Sequence, residues 1–253
     1  MINKVINIAN EAGEVIRNGF RQNIQIELKT GENNLVTNID KAAEKIILNF
    51  IKTEYPTHSI IAEESGTDMK DSEYTWVVDP LDGTTNFAHG IPIFGVSIGL
   101  QKNNQTILGV VLDVMRNKMY SAEKGSCAFE NGKKISVTQN SELSKSVLVT
   151  GFSYDMINID EAIKLFGVFL KNTRGVRRLG SAAVDMCYVA SGVFDGFWKK
   201  YLSPWDVCAG MLLVEEAGGK VSNFKGKPTD IFSEEVLTTN GLVHNSMVEY
   251  LRK

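Results

Sequence analysis

The chain has 253 residues and a formal net charge of −3, with 43% hydrophobic and 23% charged residues. That balance describes a globular protein able to bury a large core, and it argues against a nucleic-acid binder held by counterion release. No apolar run approaches the ~18 residues that span a bilayer. Three scattered cysteines and three histidines are too few for a disulfide framework, a zinc site or a histidine-rich metal centre, so a reducing, cytoplasmic setting is expected.

From Ile2 to Phe20, the residues Val5, Ile6, Ala9, Ala12 and Ile16 recur at helical spacing, which predicts an amphipathic helix and not a signal peptide. Ile24 to Leu28 alternate and read as a short strand. Asn33 to Asp40 read as a turn into a second helix, with Ile39, Ala43, Ile46, Ile47 and Phe50 as its stripe and Pro56 as its stop. Ser59 to Ala62 and Thr75 to Val78 predict buried strands that end at Glu63-Glu64 and at Asp79. From Phe94 to Val137, β-rich segments broken at NNQ and ENGKK predict an antiparallel meander. The polar stretch QNSELSKS (139–146) marks a joint, dividing the chain into residues 1–140 and 141–253. Beyond it, strands SVLVTGF, DGFW, KVSN and VLTTNG alternate with helices at Asp160 to Leu170, SAAVDMCYVASG, PWDVCAGMLLVEEAGG and the residues up to Lys253. The expected fold is layered α+β with two sub-domains, the first carrying most of the acids discussed next.

Three acidic sites share a design. IIAEES delivers Glu63 at a strand end, WVVDPLDGTT delivers Asp79 and Asp82 at another, and SPWDVCAG delivers Asp206 at a helix start, where Ala209 and Gly210 allow tight packing. Each alone has an ordinary explanation: a solvated strand end, a turn before glycine, a helix N-terminus. Together they would repel one another unless a cation neutralises them. Oxygen ligands without histidine point to Mg²⁺ over zinc, copper or nickel. Two or more such ions, roughly 3.5–4 Å apart, would bind a phosphate and activate water. Gly83-Thr84-Thr85 then supplies backbone that approaches an anion at a helix start, although helix capping alone would also explain the threonines. The Thr84 hydroxyl would orient the attacking water, with Asp40 or Glu63 accepting its proton.

NLVTNID (34–40), IIAEES (60–65), WVVDPLDGTTNFAHG (76–90) and PWDVCAGMLLVEEAGG (204–219), in this order, resemble the inositol monophosphatase family of magnesium-dependent, lithium-sensitive sugar phosphatases. The resemblance spans nearly the whole chain, and the wider group includes fructose-1,6-bisphosphatase. It implies an αβαβα sandwich, a homodimer, and a phosphomonoesterase acting on inositol 1-phosphate or a related sugar phosphate by metal-activated water. Its cofactor would be two or three Mg²⁺ ions, with Mn²⁺ as a substitute. Residue by residue, it implies metal binding by Glu63, Asp79, Asp82, Asp206 and the Leu81 carbonyl. Thr84 with Glu63 would activate water, Asp40 would support Thr84, and Lys29 would sit near the site. The Gly83 and Thr84 backbone would meet phosphate, and Gly180, Ser181 and Ala182 would contact the sugar.

One position departs. Seven residues before the aspartate of the WD motif, many inositol-acting members carry a glutamate, and this chain carries Lys199 followed by Lys200. A cation there, with Arg177 and Arg178 nearby, would favour a second negative group. Fructose 1,6-bisphosphate and the 2′-phosphate of NADP are therefore alternative substrates. A phosphoaspartyl hydrolase of the haloacid dehalogenase type fits less well, because DPLDGT places an extra residue between its acids. GSCAFENGKK lacks the spacing of a P-loop. A regulatory or binding protein on the same scaffold is the alternative from outside enzymology.

Overall fold

A computed structural model describes residues 1–22, 25–28, 35–152 and 159–252. The first half runs α1 (Ile2–Gly19), β1 (Ile26–Leu28), β2 (Leu35–Thr37), α2 (Asn38–Glu54), β3 (Ser59–Ala62), β4 (Gly66–Asp68), β5 (Tyr74–Asp82), α3 (Thr84–Ala88), β6 (Gly95–Lys102), β7 (Gln105–Asp113), β8 (Lys118–Glu123), β9 (Ala128–Glu130) and β10 (Lys133–Lys134). After a 3₁₀ turn at Leu143–Lys145 come β11 (Val147–Thr150), α4 (Ile159–Asn172), β12 (Gly175–Arg177), α5 (Ala182–Ala190), β13 (Gly196–Lys200), α6 (Pro204–Glu216), β14 (Lys220–Ser222), β15 (Glu235–Thr239) and α7 (His244–Leu251).

The predicted meander forms as expected. Its hairpins turn at Asn103-Asn104 and Asn131-Gly132, all four with left-handed φ, the conformation that matches the twist of paired strands. It joins β5, β3 and β4 in an eight-stranded sheet ordered β10-β9-β8-β7-β6-β5-β3-β4, in which only β3 and β5 are parallel neighbours. The second sheet has the order β12-β11-β13-β15-β14 and mixes parallel and antiparallel pairs.

Helices α1 and α2 cover one face of the large sheet with Val5, Ala9, Ile16, Ala43, Ile47 and Ile51. Helices α5 and α6 fill the space between the two sheets, and α4 and α7 close the outer face of the smaller one. The result is the expected αβαβα sandwich. The middle layer is thin because small residues let backbones meet: a Cβ on Gly109 of β7 would lie 2.9 Å from the Ala209 carbonyl of α6. Every residue of α5 is buried, so this helix has no solvent face. No helix among the described residues is long and apolar enough to cross a membrane.

Three local differences from the sequence reading have physical causes. Leu35–Thr37, read as part of a turn, is a strand because it pairs with Ile26–Leu28. The short strands β4 and β12 carry too few residues to show a period. Strand β5 continues past Val78 to Asp82 through an irregularity discussed below. Lys200, beside Lys199, pairs with Glu161 at 2.8 Å and Glu235 at 3.4 Å and lies over the Phe224 ring.

Candidate active site

In a regular strand, residues three apart face opposite sides of the sheet, so Asp79 and Asp82 would diverge. They do not. Asp79 pairs with Ser97 and Asp82 with Gly95, so three steps on β5 match two on β6. The extra residue is a β-bulge at Pro80-Leu81, and it returns Asp82 to the face of Asp79. Proline suits this spot, since it has no N–H to offer a ladder.

Asp206 reaches the same place from the start of α6. Ser203 precedes the helix, Pro204 occupies its first turn, and the Ser203 N–H donates to Asp206 Oδ2 at 2.8 Å. Asp79, Asp82 and Asp206 thus each offer a ligand atom within 4.8 Å of one another. Each carboxylate is also held by a fixed donor. The Leu81 N–H donates to Asp79 Oδ1 at 2.9 Å, and Asp82 Oδ2 accepts from the Ser181 hydroxyl at 2.6 Å and the Ala183 N–H at 2.7 Å. Glu63, just past β3, comes within hydrogen-bonding range of Asp79.

The electrostatics follow from this crowding. Asp79 is pushed well above the ordinary carboxylate range by burial, then by the charges of Glu63, Asp82 and Asp206. Asp82 is pushed up to about 6 by burial and by Asp206, against the pull of Ser181, Ala183 and Lys199. Two buried carboxylates and the half-buried Asp206, repelling one another and aimed together by fixed donors, fit a hard divalent cation.

Beyond Asp82, Gly83 adopts φ 101°. A Cβ there would stand 3.1 Å from the Ile93 carbonyl and 3.3 Å from that of Gly180, so both conformation and space call for glycine. The Thr84 hydroxyl lies 3.0 Å from Asp40 Oδ1 and 3.0 Å from the Leu81 carbonyl, either of which can accept its proton. Asp40 is fully buried in the first turn of α2. Burial raises its pKa, opposed by hydrogen bonds from the Thr37 N–H, the Thr37 hydroxyl and Thr84.

The smaller sheet's segment Gly180-Ser181-Ala182 abuts this loop. Asn86 Nδ2 donates to the carbonyls of Ile93 and Leu179, both at 2.7 Å, and so joins the two parts. Ser181 and Ala182 are buried, with the Ser181 hydroxyl turned to Asp82. Arg178 is exposed and lies over Gly180. Lys199 is half-buried, its stem laid across Gly151 and its charge felt by Asp82 and Asp185. His89 is exposed, and Lys29 lies outside the described residues.

The sequence reading missed three residues here. Asn86 and Glu44 hold backbone groups of the site, and Asp185 is a buried acid in α5 raised by burial and by Asp82. The available signal for Asp185 was an acid inside an otherwise apolar stretch, whereas Glu44, beside Lys45, carries no such signal.

Comparison with known proteins agrees with this geometry. The model of the inositol monophosphatase family matches residues 1–253. An inositol-1-monophosphatase of Synechocystis sp. is 43% identical over 229 residues, covering 90% of this chain and 80% of that protein. The Nus factor SuhB of Escherichia coli K12 is 39% identical over 255 residues, covering 100% of this chain and 96% of that protein. The solved structure of an IMPase from Thermotoga maritima superposes with a TM-score of 0.92 at 36% identity, covering 99% of this chain and 96% of that one. With its bulged Asp79–Asp82 strand and converging Asp206, the chain belongs to the inositol monophosphatase family and is a phosphoric monoester hydrolase.

Proposed function

We propose that this protein hydrolyses inositol 1-phosphate or a related sugar phosphate with Mg²⁺ as its cofactor. The observation that carries the reading is the convergence of Asp79, Asp82 and Asp206 within 4.8 Å, each held by a fixed donor. Those three, with Glu63 and the Leu81 carbonyl, would hold two or three ions. Bound there, divalent ions supply Lewis acidity toward phosphoryl oxygens and lower the pKa of water.

The chain's own groups do the rest. Thr84 donates its proton to Asp40 Oδ1, so its oxygen is free to accept a hydrogen bond from the attacking water. Glu63 is the second acceptor for that water's protons. The Gly83 and Thr84 N–H groups bind phosphate oxygens, and Ala182 with Gly180 borders the sugar. Lys29 balances the charge of the bound ester.

A panel of phosphomonoesters assayed with Mg²⁺ and with a chelator tests this reading. Release of phosphate from inositol 1-phosphate in Mg²⁺ alone is expected; equal turnover in chelator refutes it. A second reading, bisphosphorylated substrates, is favoured by Lys199, whose charge already reaches Asp82. We also extend the family likeness to a homodimer, which sedimentation of the purified chain checks. The kinship with proteins named Nus factor SuhB supports a regulatory role beside hydrolysis, which would persist in a catalytically dead variant.

A further inference from the structure

We propose that Glu44 is a positioning residue that fixes the turn carrying Glu63, and thereby sets how tightly the site holds a divalent cation. The inference rests on the reading of Glu63 as a metal ligand.

Glu44 lies one helical turn after Asp40 on α2 and is only 4% exposed. Apart from Asp40, the buried residues of that helix, Ala43, Ile47, Leu48 and Ile51, are apolar. Burying a carboxylate in such company is costly unless its oxygens are used. Here Oε2 accepts the N–H of Glu64 at 2.9 Å. The preceding N–H, that of Glu63, donates to the Val78 carbonyl at 3.2 Å. The peptide groups on both sides of the Glu63 α-carbon are therefore pinned, one to β5 and one to α2.

One helix can do this because side chains four apart share a face, about 5–6 Å from each other. Strands β3 and β5 are parallel neighbours paired as far as Ala62 and Val78, and β5 runs on to Asp82. Asp40 serves the end of β5 through Thr84, and Glu44 serves the end of β3 through Glu64. Two acids on one face of α2 thus anchor the segments that follow the strands carrying Glu63, Asp79 and Asp82.

Two substitutions separate reach from charge. Glu44→Asp keeps the charge and withdraws the acceptor by one methylene, whereas Glu44→Gln keeps an acceptor at full reach and removes the charge. Binding of Mn²⁺ to the substrate-free protein, followed by electron paramagnetic resonance, gives a readout independent of turnover, and thermal unfolding reports folding. Glu44→Asp is expected to weaken Mn²⁺ binding about tenfold, and Glu44→Gln to stay within about threefold of the parent. Wild-type affinity in Glu44→Asp, or equal weakening in both variants, overturns the proposal. Should Glu44→Asp fail to fold, Glu44→Met fills the space without an acceptor, and the same tenfold loss is expected; parental binding in it overturns the proposal. Glu63→Gln is measured alongside. If it binds Mn²⁺ as the parent does, the ligand reading falls and this proposal with it; if it alone loses binding, only the role of Glu44 falls.

Discussion

Ser181 donates its hydroxyl to Asp82 Oδ2 at 2.6 Å, a contact between residues 99 positions apart in the chain. It links the start of α5 to the bulged end of β5, so the second sheet's side of the molecule orients an acid carried by the first. Ser181→Ala is expected to weaken divalent-cation binding about tenfold, with Ser181→Thr restoring most of it. Calorimetric titration with Mg²⁺ checks this; unchanged binding in the alanine variant would show that the Ala183 N–H suffices to orient Asp82.

Asp82 itself gives a prediction with two opposite signs. In the metal-free protein its pKa is raised to about 6, so its ionised form is disfavoured in the folded state. Stability from this group is present below the unfolded pKa near 3.8 and is lost as pH rises through about 6. Asp82→Asn removes that loss, so without metal it should melt several degrees above the parent at pH 8 and level with it at pH 4. A change of 1 kcal/mol moves the midpoint by roughly 2–4 °C at this chain length. With Mg²⁺ the order reverses: the parent gains stability and the variant does not. Activity of the variant should fall by roughly three orders of magnitude. Calorimetric scans with and without chelator, beside phosphate release, decide the matter.

Much of this site was legible in the sequence because acids at the ends of apolar strands violate the ordinary partition of charge. Asp79, Asp82 and Asp206 stand out for that reason, and so does Gly83 before a pair of threonines. What was not legible depends on pairing across the chain. The Pro80-Leu81 bulge is visible only once the register with Ser97 and Gly95 is known. The roles of Asn86 and Ser181 need the packing of α3 against residues 179–181. Leu35–Thr37 became a strand because of its partner, with no help from a three-residue period. Local periodicity supplied the elements; contacts between distant elements supplied the geometry.

Lys199 offers a test of specificity. Its neighbour Lys200 is committed to Glu161 and Glu235, so Lys199 is the cation of this pair that faces the acids of the site. Lys199→Glu should lower kcat/KM for fructose 1,6-bisphosphate relative to inositol 1-phosphate by about tenfold, because a second phosphate then meets like charge. A ratio of the two kcat/KM values that does not move assigns specificity to other residues.

His244 governs acid stability away from the site. It is fully buried at the start of α7, with Ser222 Oγ 2.9 Å from Nε2 and Thr239 Oγ1 2.9 Å from Nδ1. Burial, with a smaller push from Lys220, lowers its pKa from 6.5 to about 4. The folded state therefore keeps a neutral ring where the unfolded chain takes up a proton. The stability tied to this neutral ring is present above pH 6.5 and is lost as pH falls toward 4. His58, lowered by burial and by Lys70 and accepting the Trp76 indole N–H at Nδ1, adds in the same direction. His244→Asn should be less stable than the parent at pH 7.5 but should flatten the decline below pH 6.5. Urea unfolding at half-unit pH intervals, with chelator present to silence the metal site, measures that slope. Parallel slopes in parent and variant would place the acid sensitivity elsewhere.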